Sequence, residues 1–193
     1  YPPFFMFIWS AHKKLPDDIH TEIISRVEKN HNDKKKFFTS YVFRDSRWSS
    51  IDHIDHSIGK NFHKEFPLLD DYYENIIKEM MRNLGLWSRT KYHYNLWVQM
   101  YNSETNTHHP HEHYTGSEVI SFNHIIDASK EKCFYFLNDD GDKIYPGEQR
   151  SGDIFAWPPW RIHGVDKVKE PNVNRLILAG NIWLESYKKP PGS

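Results

Sequence analysis

One cysteine, Cys133, stands among 193 residues, which excludes an intrachain disulfide and argues against a structural zinc site, normally built on several thiolates. Cys133 opens the apolar run Cys133-Phe134-Tyr135-Phe136-Leu137, which reads as a buried strand. A chain built this way suits a reducing, cytoplasmic compartment. Charge of one sign is lacking too. Lysine and arginine number 25 against 26 aspartates and glutamates, a formal net charge of −1, so no overall field draws the chain to nucleic acid or to an anionic membrane. The run Lys34-Lys35-Lys36 reads as a solvated turn. Long hydrophobic runs are also missing. The opening Phe4-Phe5-Met6-Phe7-Ile8-Trp9 is far too short to span a bilayer, and no basic region of the kind a signal peptide needs precedes it. It reads as a first strand of a soluble protein.

What is present is enough to build a core. Hydrophobic residues make up 38% and aromatics 16%, while a mean hydropathy of −0.78 marks a very polar surface. No shift in composition divides the chain, so residues 1–193 read as one domain, with 1–90 mainly helical support carrying early strands and 91–187 a barrel core. Leu15-Pro16-Asp17-Asp18 opens a helix with proline and acids in its first turn, and Ile19, Ile23, Ile24 and Val27 recur at helical spacing to about Lys29. Phe37 to Phe43 alternates like a strand, and Arg44 to Lys60 reads as a long loop. From Pro67 to Leu84 a continuous apolar stripe predicts a second helix closed by Gly85. Strands are then expected over Tyr92–Tyr101, Glu118–Ile126, Lys132–Leu137 with a turn at Asn138–Gly141, Gly152–Trp157, Ile162–Val168 and Asn174–Leu184. Helices first and short strands later predict an α+β protein: a double-stranded β-helix, or jelly roll, braced by N-terminal helices.

Two stretches carry the chemistry. The first is His109-Pro110-His111-Glu112-His113-Tyr114, the second Gly152-Asp153-Ile154-Phe155-Ala156-Trp157-Pro158-Pro159-Trp160-Arg161-Ile162-His163. On a strand, residues two apart share a side, so His109, His111 and His113 can aim imidazoles at one point, and His163 can join from a neighbouring strand. Three nitrogens with positions left over describe a catalytic metal site rather than a closed structural one. With 13 histidines in the chain, some clustering arises by chance. His109 and His111 have the same spacing as His111 and His113, so spacing alone leaves both pairs open. His108 and His124 read as outer or surface residues. Arg175 is either buried beside Leu176-Ile177-Leu178 or part of a salt bridge on an edge strand.

In this order the motifs resemble the iron(II)- and 2-oxoglutarate-dependent oxygenase superfamily, whose signature is His-x-Asp/Glu, a distal His and an Arg about ten residues on. Here His163 and Arg175 are twelve apart. The likeness is nearer to the prolyl-hydroxylase-like branch of the phage and marine-bacterial type, through Pro110-His111-Glu112-His113, Val119–Ile126, Gly152–Pro158, His163-Gly164-Val165 and Arg175–Asn181, and loosely Asp45–Ser50. The resemblance implies that His111, His113 and His163 hold Fe(II), that Arg175 grips the far carboxylate of the cosubstrate 2-oxoglutarate with Tyr101 as a hydroxyl partner, and that O2 is consumed in hydroxylating an unactivated C–H bond. Arginine suits that role through its planar fork. Two positions depart from the pattern: His113 stands where a carboxylate is usual, and Ile177 where relatives often place a serine. Glu112 would point away from His111 unless a bulge at Pro110 turned it inward.

Two other readings use the same residues. A cupin would take His111, His113, Glu118 and His163 as ligands without 2-oxoglutarate, but Trp160 stands where its second motif has glycine, and Arg175 is left without a role. A non-catalytic jelly-roll module would stack a ligand such as a sugar on Trp48, Trp157 and Trp160. For the oxygenase, the substrate expected is a prolyl or other peptide, an amino acid or a small metabolite, cradled by Trp157, Trp160, Tyr114 and Arg161.

Overall fold

The computed structural model describes residues 7–31, 48–49, 67–86, 92–103, 108–114 and 118–184. Strand β1 (Trp9–His12) leads into helix α1 (Asp17–His31), followed by β2 (Trp48–Ser49) and helix α2 (Pro67–Asn83). Eight strands complete the order: β3 (Tyr92–Tyr101), β4 (His108–His111), β5 (Glu118–Asp127), β6 (Phe134–Leu137), β7 (Lys143–Ile144), β8 (Asp153–Trp157), β9 (His163–Val165) and β10 (Arg175–Leu184). They form a six-stranded sheet ordered β1-β8-β5-β10-β3-β2 and a four-stranded sheet ordered β4-β9-β6-β7, with every pairing antiparallel.

The two-residue period of the strands separates two cores. On the larger sheet the even-numbered residues, among them Leu96, Val98, Phe122, Ile154, Leu176 and Leu178, pack under Ile19, Ile23 and Val27 of α1 and Tyr73, Ile77 and Met80 of α2. The odd-numbered residues, among them Trp97, Tyr101, Ile125, Phe155, Trp157 and Ile177, meet Phe134, Phe136 and Val165 of the smaller sheet. The fold is thus a double-stranded β-helix with helices bracing one outer face. The inner face also buries Gln99, Ser121, Asn123, Arg175 and Asn181, an unusual polar load for a barrel interior.

Helix α2 closes at Gly85 as expected, with the Leu86 N–H donating to the Met81 carbonyl at 2.8 Å. His124, read from sequence as an outer or surface residue, is a buried pin between sheet and helices. Its Nε2–H donates to the Lys13 carbonyl at 2.8 Å. That carbonyl can only accept, so Nδ1 is bare and takes the Tyr73 hydroxyl hydrogen at 2.6 Å.

Several boundaries differ from the sequence reading. Of the expected first strand at Phe4–Trp9, Phe4 to Met6 lie outside the described residues; the described strand runs from Trp9 to His12, paired with Ala156 through Asp153 of β8. The expected strand at Phe37–Phe43 lies outside the described residues, as does most of the Arg44–Lys60 loop, of which Trp48–Ser49 is a short strand on β3. The stretch Ile162–Val168 is strand only over His163–Val165. No described helix is long and apolar enough to cross a membrane.

Gly180 of β10 stands opposite Leu96 of β3. A Cβ there would lie 2.6 Å from the Asn95 carbonyl oxygen and 2.7 Å from Phe122 Cε1. Backbone cannot yield as a flexible side chain does, so Gly180→Ala is expected to cost about 1–3 kcal/mol and lower the melting temperature accordingly; an unchanged melting curve would show that β10 slides freely against β3.

Candidate metal centre

Strand β4 approaches the smaller sheet with an irregular register: His108 pairs with Val165 and His111 with His163, leaving two residues opposite one. Proline has no N–H to give the ladder, and the bulge at Pro110 follows from that. Its consequence overturns simple alternation. His109 and Glu112 turn outward and are exposed, while His108 lies on the inner side, its ring stacked on that of His111 at 4.3 Å and 22°. His113 comes just after β4 and is tied by its N–H to the Pro159 carbonyl at 2.9 Å. The Trp157-Pro158-Pro159-Trp160 corner thereby positions two histidines at once: it carries the chain from β8 in one sheet to His163 in the other, and it anchors His113.

His111, His113 and His163 each bring a ring nitrogen within 4.8 Å of the other two. Their tautomers follow from their partners. His111 Nδ1–H donates to the His109 carbonyl at 2.9 Å, His163 Nδ1–H to the Arg161 carbonyl at 3.0 Å, and His113 Nδ1–H to the Asn181 side-chain oxygen at 2.9 Å. Asn181 is itself held by the Ser121 hydroxyl at 2.8 Å. With every Nδ1 protonated, three bare Nε2 lone pairs converge, and those of His111 and His113 stand 3.1 Å apart. Lone pairs that face each other repel; a divalent cation between them removes the repulsion, and oriented imidazoles of this kind are the usual ligands. The donor set therefore fits a transition metal such as iron(II).

Burial and mutual repulsion act in the same direction on the rings. Desolvation, then the neighbouring His111, lowers His113 to about 4 and His108 to about 3. His163 is held well below the ordinary imidazole range by burial, then by His113 and His111. All are neutral near pH 7, the form that binds metal.

Arg175 lies on β10, in the middle of the larger sheet rather than at an edge, directly opposite Tyr101. It is 1% exposed, and neither Nη has a hydrogen-bond partner. Burial lowers the pKa of its guanidinium, whose carbon stands 5.7 Å from the centre of the Tyr101 ring. The Tyr101 hydroxyl donates to Gln99 Oε1 at 3.0 Å and meets His108 Nδ1 at 3.0 Å. A line of contacts thus runs from Arg175 through Tyr101 and His108 to His111. Gln99 Nε2, Asn123 Oδ1 and Trp157 Nε1 are likewise buried without partners. All three belong to inward-facing residues; with the two Nη atoms of Arg175, Gln99 Nε2 and Trp157 Nε1 are unspent donors, and Asn123 Oδ1 is an unspent acceptor, a set able to meet a polar guest.

The other sequence candidates separate clearly. Glu118 is buried, and its charge reaches His113, yet it does not join the three converging nitrogens, so the four-ligand cupin set is not assembled. Trp157 is buried against His163 at 4.8 Å and offers no outer stacking surface. Tyr114 and Trp160 are exposed and packed edge to face at 6.2 Å, with exposed Ile162 nearby in sequence. The side chain of Trp48 lies outside the described residues. Sequence reasoning missed Asn181, Ser121 and Gln99; the available signal was a polar residue at an odd-numbered position in otherwise apolar strands.

No family profile and no curated protein matches the chain. Solved structures do. A prolyl 4-hydroxylase from Pseudomonas putida superposes with a TM-score of 0.61 at 12% identity, over 92% of each chain. A prolyl hydroxylase from Trichoplax adhaerens, in complex with a peptide fragment of the hypoxia inducible factor oxygen degradation domain, gives 0.60 at 11%, covering 91% of this chain and 82% of that one. The non-heme alpha-ketoglutarate-dependent carbocyclase SnoK of nogalamycin biosynthesis gives 0.60 at 10%, over 91% and 79%. The likeness at these identities is one of fold: the chain has the double-stranded β-helix fold of the prolyl hydroxylases and other 2-oxoglutarate-dependent oxygenases.

Proposed function

We propose that the chain is an iron(II)- and 2-oxoglutarate-dependent oxygenase that hydroxylates an unactivated C–H bond, with a prolyl or other peptidyl or amino-acid substrate. One observation carries this reading: three imidazoles whose ring nitrogens converge within 4.8 Å and a buried arginine whose two Nη atoms have no hydrogen-bond partner share one barrel interior. A metal alone needs no such arginine, and an anion site alone needs no such histidines. His111, His113 and His163 would hold the iron; when bound with 2-oxoglutarate and O2, it supplies the oxidising power for C–H hydroxylation. Arg175 binds and orients the far carboxylate by two parallel charge-assisted hydrogen bonds, with the Tyr101 side of the pocket beside it. Three neutral imidazoles cancel none of the cation's charge, so the incoming keto acid supplies all of the neutralising charge.

The buried aromatic wall of Phe134, Phe136 and Trp157 around His163 excludes water from the metal side. Exposed Tyr114, Trp160 and Ile162 offer an apolar lip for a substrate at the mouth, and the peptide held by the Trichoplax neighbour supports a peptidyl one.

Anaerobic protein loaded with iron(II) and then given 2-oxoglutarate should develop the weak visible charge-transfer band of a chelated keto acid. Iron-loaded protein without that band would return the choice to a metal enzyme of the cupin kind, and failure to hold iron would favour a binding module. His163→Ala should lose stoichiometric iron, because only two of the three imidazoles would remain to hold it; iron retained at one per chain would remove His163 from the ligand set. Proline peptides should raise succinate production above the uncoupled rate, and another substrate class doing so alone would redirect the assignment.

A further inference from the structure

Gln99 lies on β3 two residues before Tyr101 and directly opposite Ile177 of β10. It is 3% exposed. Its oxygen is taken by the Tyr101 hydroxyl at 3.0 Å. That hydroxyl has one hydrogen, so the proton at the other contact belongs to His108 Nδ1, which donates to the Tyr101 oxygen at 3.0 Å. The hydrogen bonds run one way, from His108 to Tyr101 to Gln99, and end on a carboxamide nitrogen whose hydrogens go to nothing. Each bond polarises the next, which makes that nitrogen a better donor than an isolated amide.

Arg175, opposite Tyr101, is the diagonal neighbour of Gln99 on the paired strand, and long side chains at such positions reach a common point. Ile177, facing Gln99 directly, offers no hydrogen bond of its own. Two side chains with unspent donors thus stand together on one patch of the inner wall. A carboxylate has about four lone-pair sites; a guanidinium fork fills two and leaves room for an amide.

We infer that Gln99 is a specificity-determining residue for the cosubstrate, its Nε2 hydrogens donating to the same carboxylate that Arg175 holds, with Tyr101 and His108 as positioning residues behind it. The inference rests on the functional reading above and adds to it a residue from a different strand. Gln99 reads the far end of the keto acid and leaves the metal-binding end alone.

The test uses the full chain loaded anaerobically with iron(II), titrated by calorimetry with 2-oxoglutarate and with 2-oxobutyrate, a keto acid that ends in a methyl group. Gln99→Met keeps the volume and removes the donors. It should weaken 2-oxoglutarate about 10- to 100-fold, the range for a hydrogen bond to a charged group, and leave 2-oxobutyrate within about twofold of the native protein. Gln99→Glu, which sets a like charge against the carboxylate and occupies Arg175, should weaken 2-oxoglutarate further still. Native affinity for 2-oxoglutarate in Gln99→Met, or equal losses for both keto acids, would overturn the assignment, the second because it marks a merely structural residue. If Arg175→Met loses 2-oxoglutarate while Gln99→Met does not, Gln99 falls and the functional reading stands. If the native iron-loaded chain binds no 2-oxoglutarate, both fall together.

Discussion

Arg175→Met is expected to make the ligand-free protein more stable and unable to hold 2-oxoglutarate. The two effects have one cause. The guanidinium is buried on the inner face beside the Tyr101 ring, with neither Nη hydrogen-bonded. A buried polar group without a partner costs about 1–3 kcal/mol, and a charged one more. Methionine fills similar space with no polar atom and adapts to an irregular cavity. For a chain of this size each kcal/mol recovered raises the melting temperature by about 2–4 °C, so a rise of several degrees should appear in calorimetry. Against this, two charge-assisted hydrogen bonds to the cosubstrate are lost, at about 1.5–3 kcal/mol each, which predicts at least a hundredfold loss of affinity. Iron binding should persist, because no metal ligand is touched. A lower melting temperature with unchanged cosubstrate affinity would mean that the arginine serves the fold and not the site. Such opposed signs are expected where a site is assembled at the expense of stability.

The large-scale fold was legible because both periods are written plainly. Ile19, Ile23 and Val27 mark one helix face, and the odd and even residues of Tyr92–Tyr101 and Arg175–Leu184 mark two faces of strands that are buried on both. The three metal-ligand candidates were legible for a similar reason, since His111 and His113 stand two apart and His163 follows a rigid corner. The bulge was harder to read. Alternation places His109 beside His111, whereas the missing N–H of Pro110 shifts the register and brings in His108 instead. Partners on distant strands were not legible at all. Asn181 meets His113 across 68 residues, and Gln99 faces Ile177 only because of the register between β3 and β10. Nothing local to either residue announces that pairing.

The surroundings of His113 bear on its departure from a carboxylate. Asn181 presents an acceptor to Nδ1–H, and Ser121 fixes that acceptor by donating to the same oxygen. As it stands the acceptor suits an imidazole N–H, whereas an aspartate at 113 would need the Asn181 amide turned over to present its nitrogen. The histidine is therefore matched by its supports rather than standing alone in a site shaped for an acid.

Those same imidazoles make the ligand-free protein sensitive to acid. Burial, then neighbouring rings, holds His108 at about 3 and His113 at about 4, while His163 lies well below the usual range. His124 is lowered by burial to about 4 despite its bond to Lys13. An unfolded histidine titrates near 6.5. Below that value the unfolded chain takes up protons that the folded chain refuses, so stability is complete above about pH 6.5 and falls as pH drops toward the folded values. Each group contributes about 1.4 kcal/mol per pH unit across that window. Four together remove about 5 kcal/mol by pH 5.5, as much as the whole stability of many domains. Far-UV circular dichroism of metal-free protein should therefore show cooperative unfolding between about pH 6 and 5. A divalent cation on the Nε2 lone pairs of His111, His113 and His163 binds only the folded chain, so saturating metal should move the midpoint to lower pH. His124, whose two nitrogens are occupied by Tyr73 and Lys13, keeps its share of the acid sensitivity in either state. If the metal-free protein instead stays folded to about pH 4, His108, His113, His163 and His124 are not all held as buried neutral bases, and the case for a waiting metal site loses its electrostatic ground.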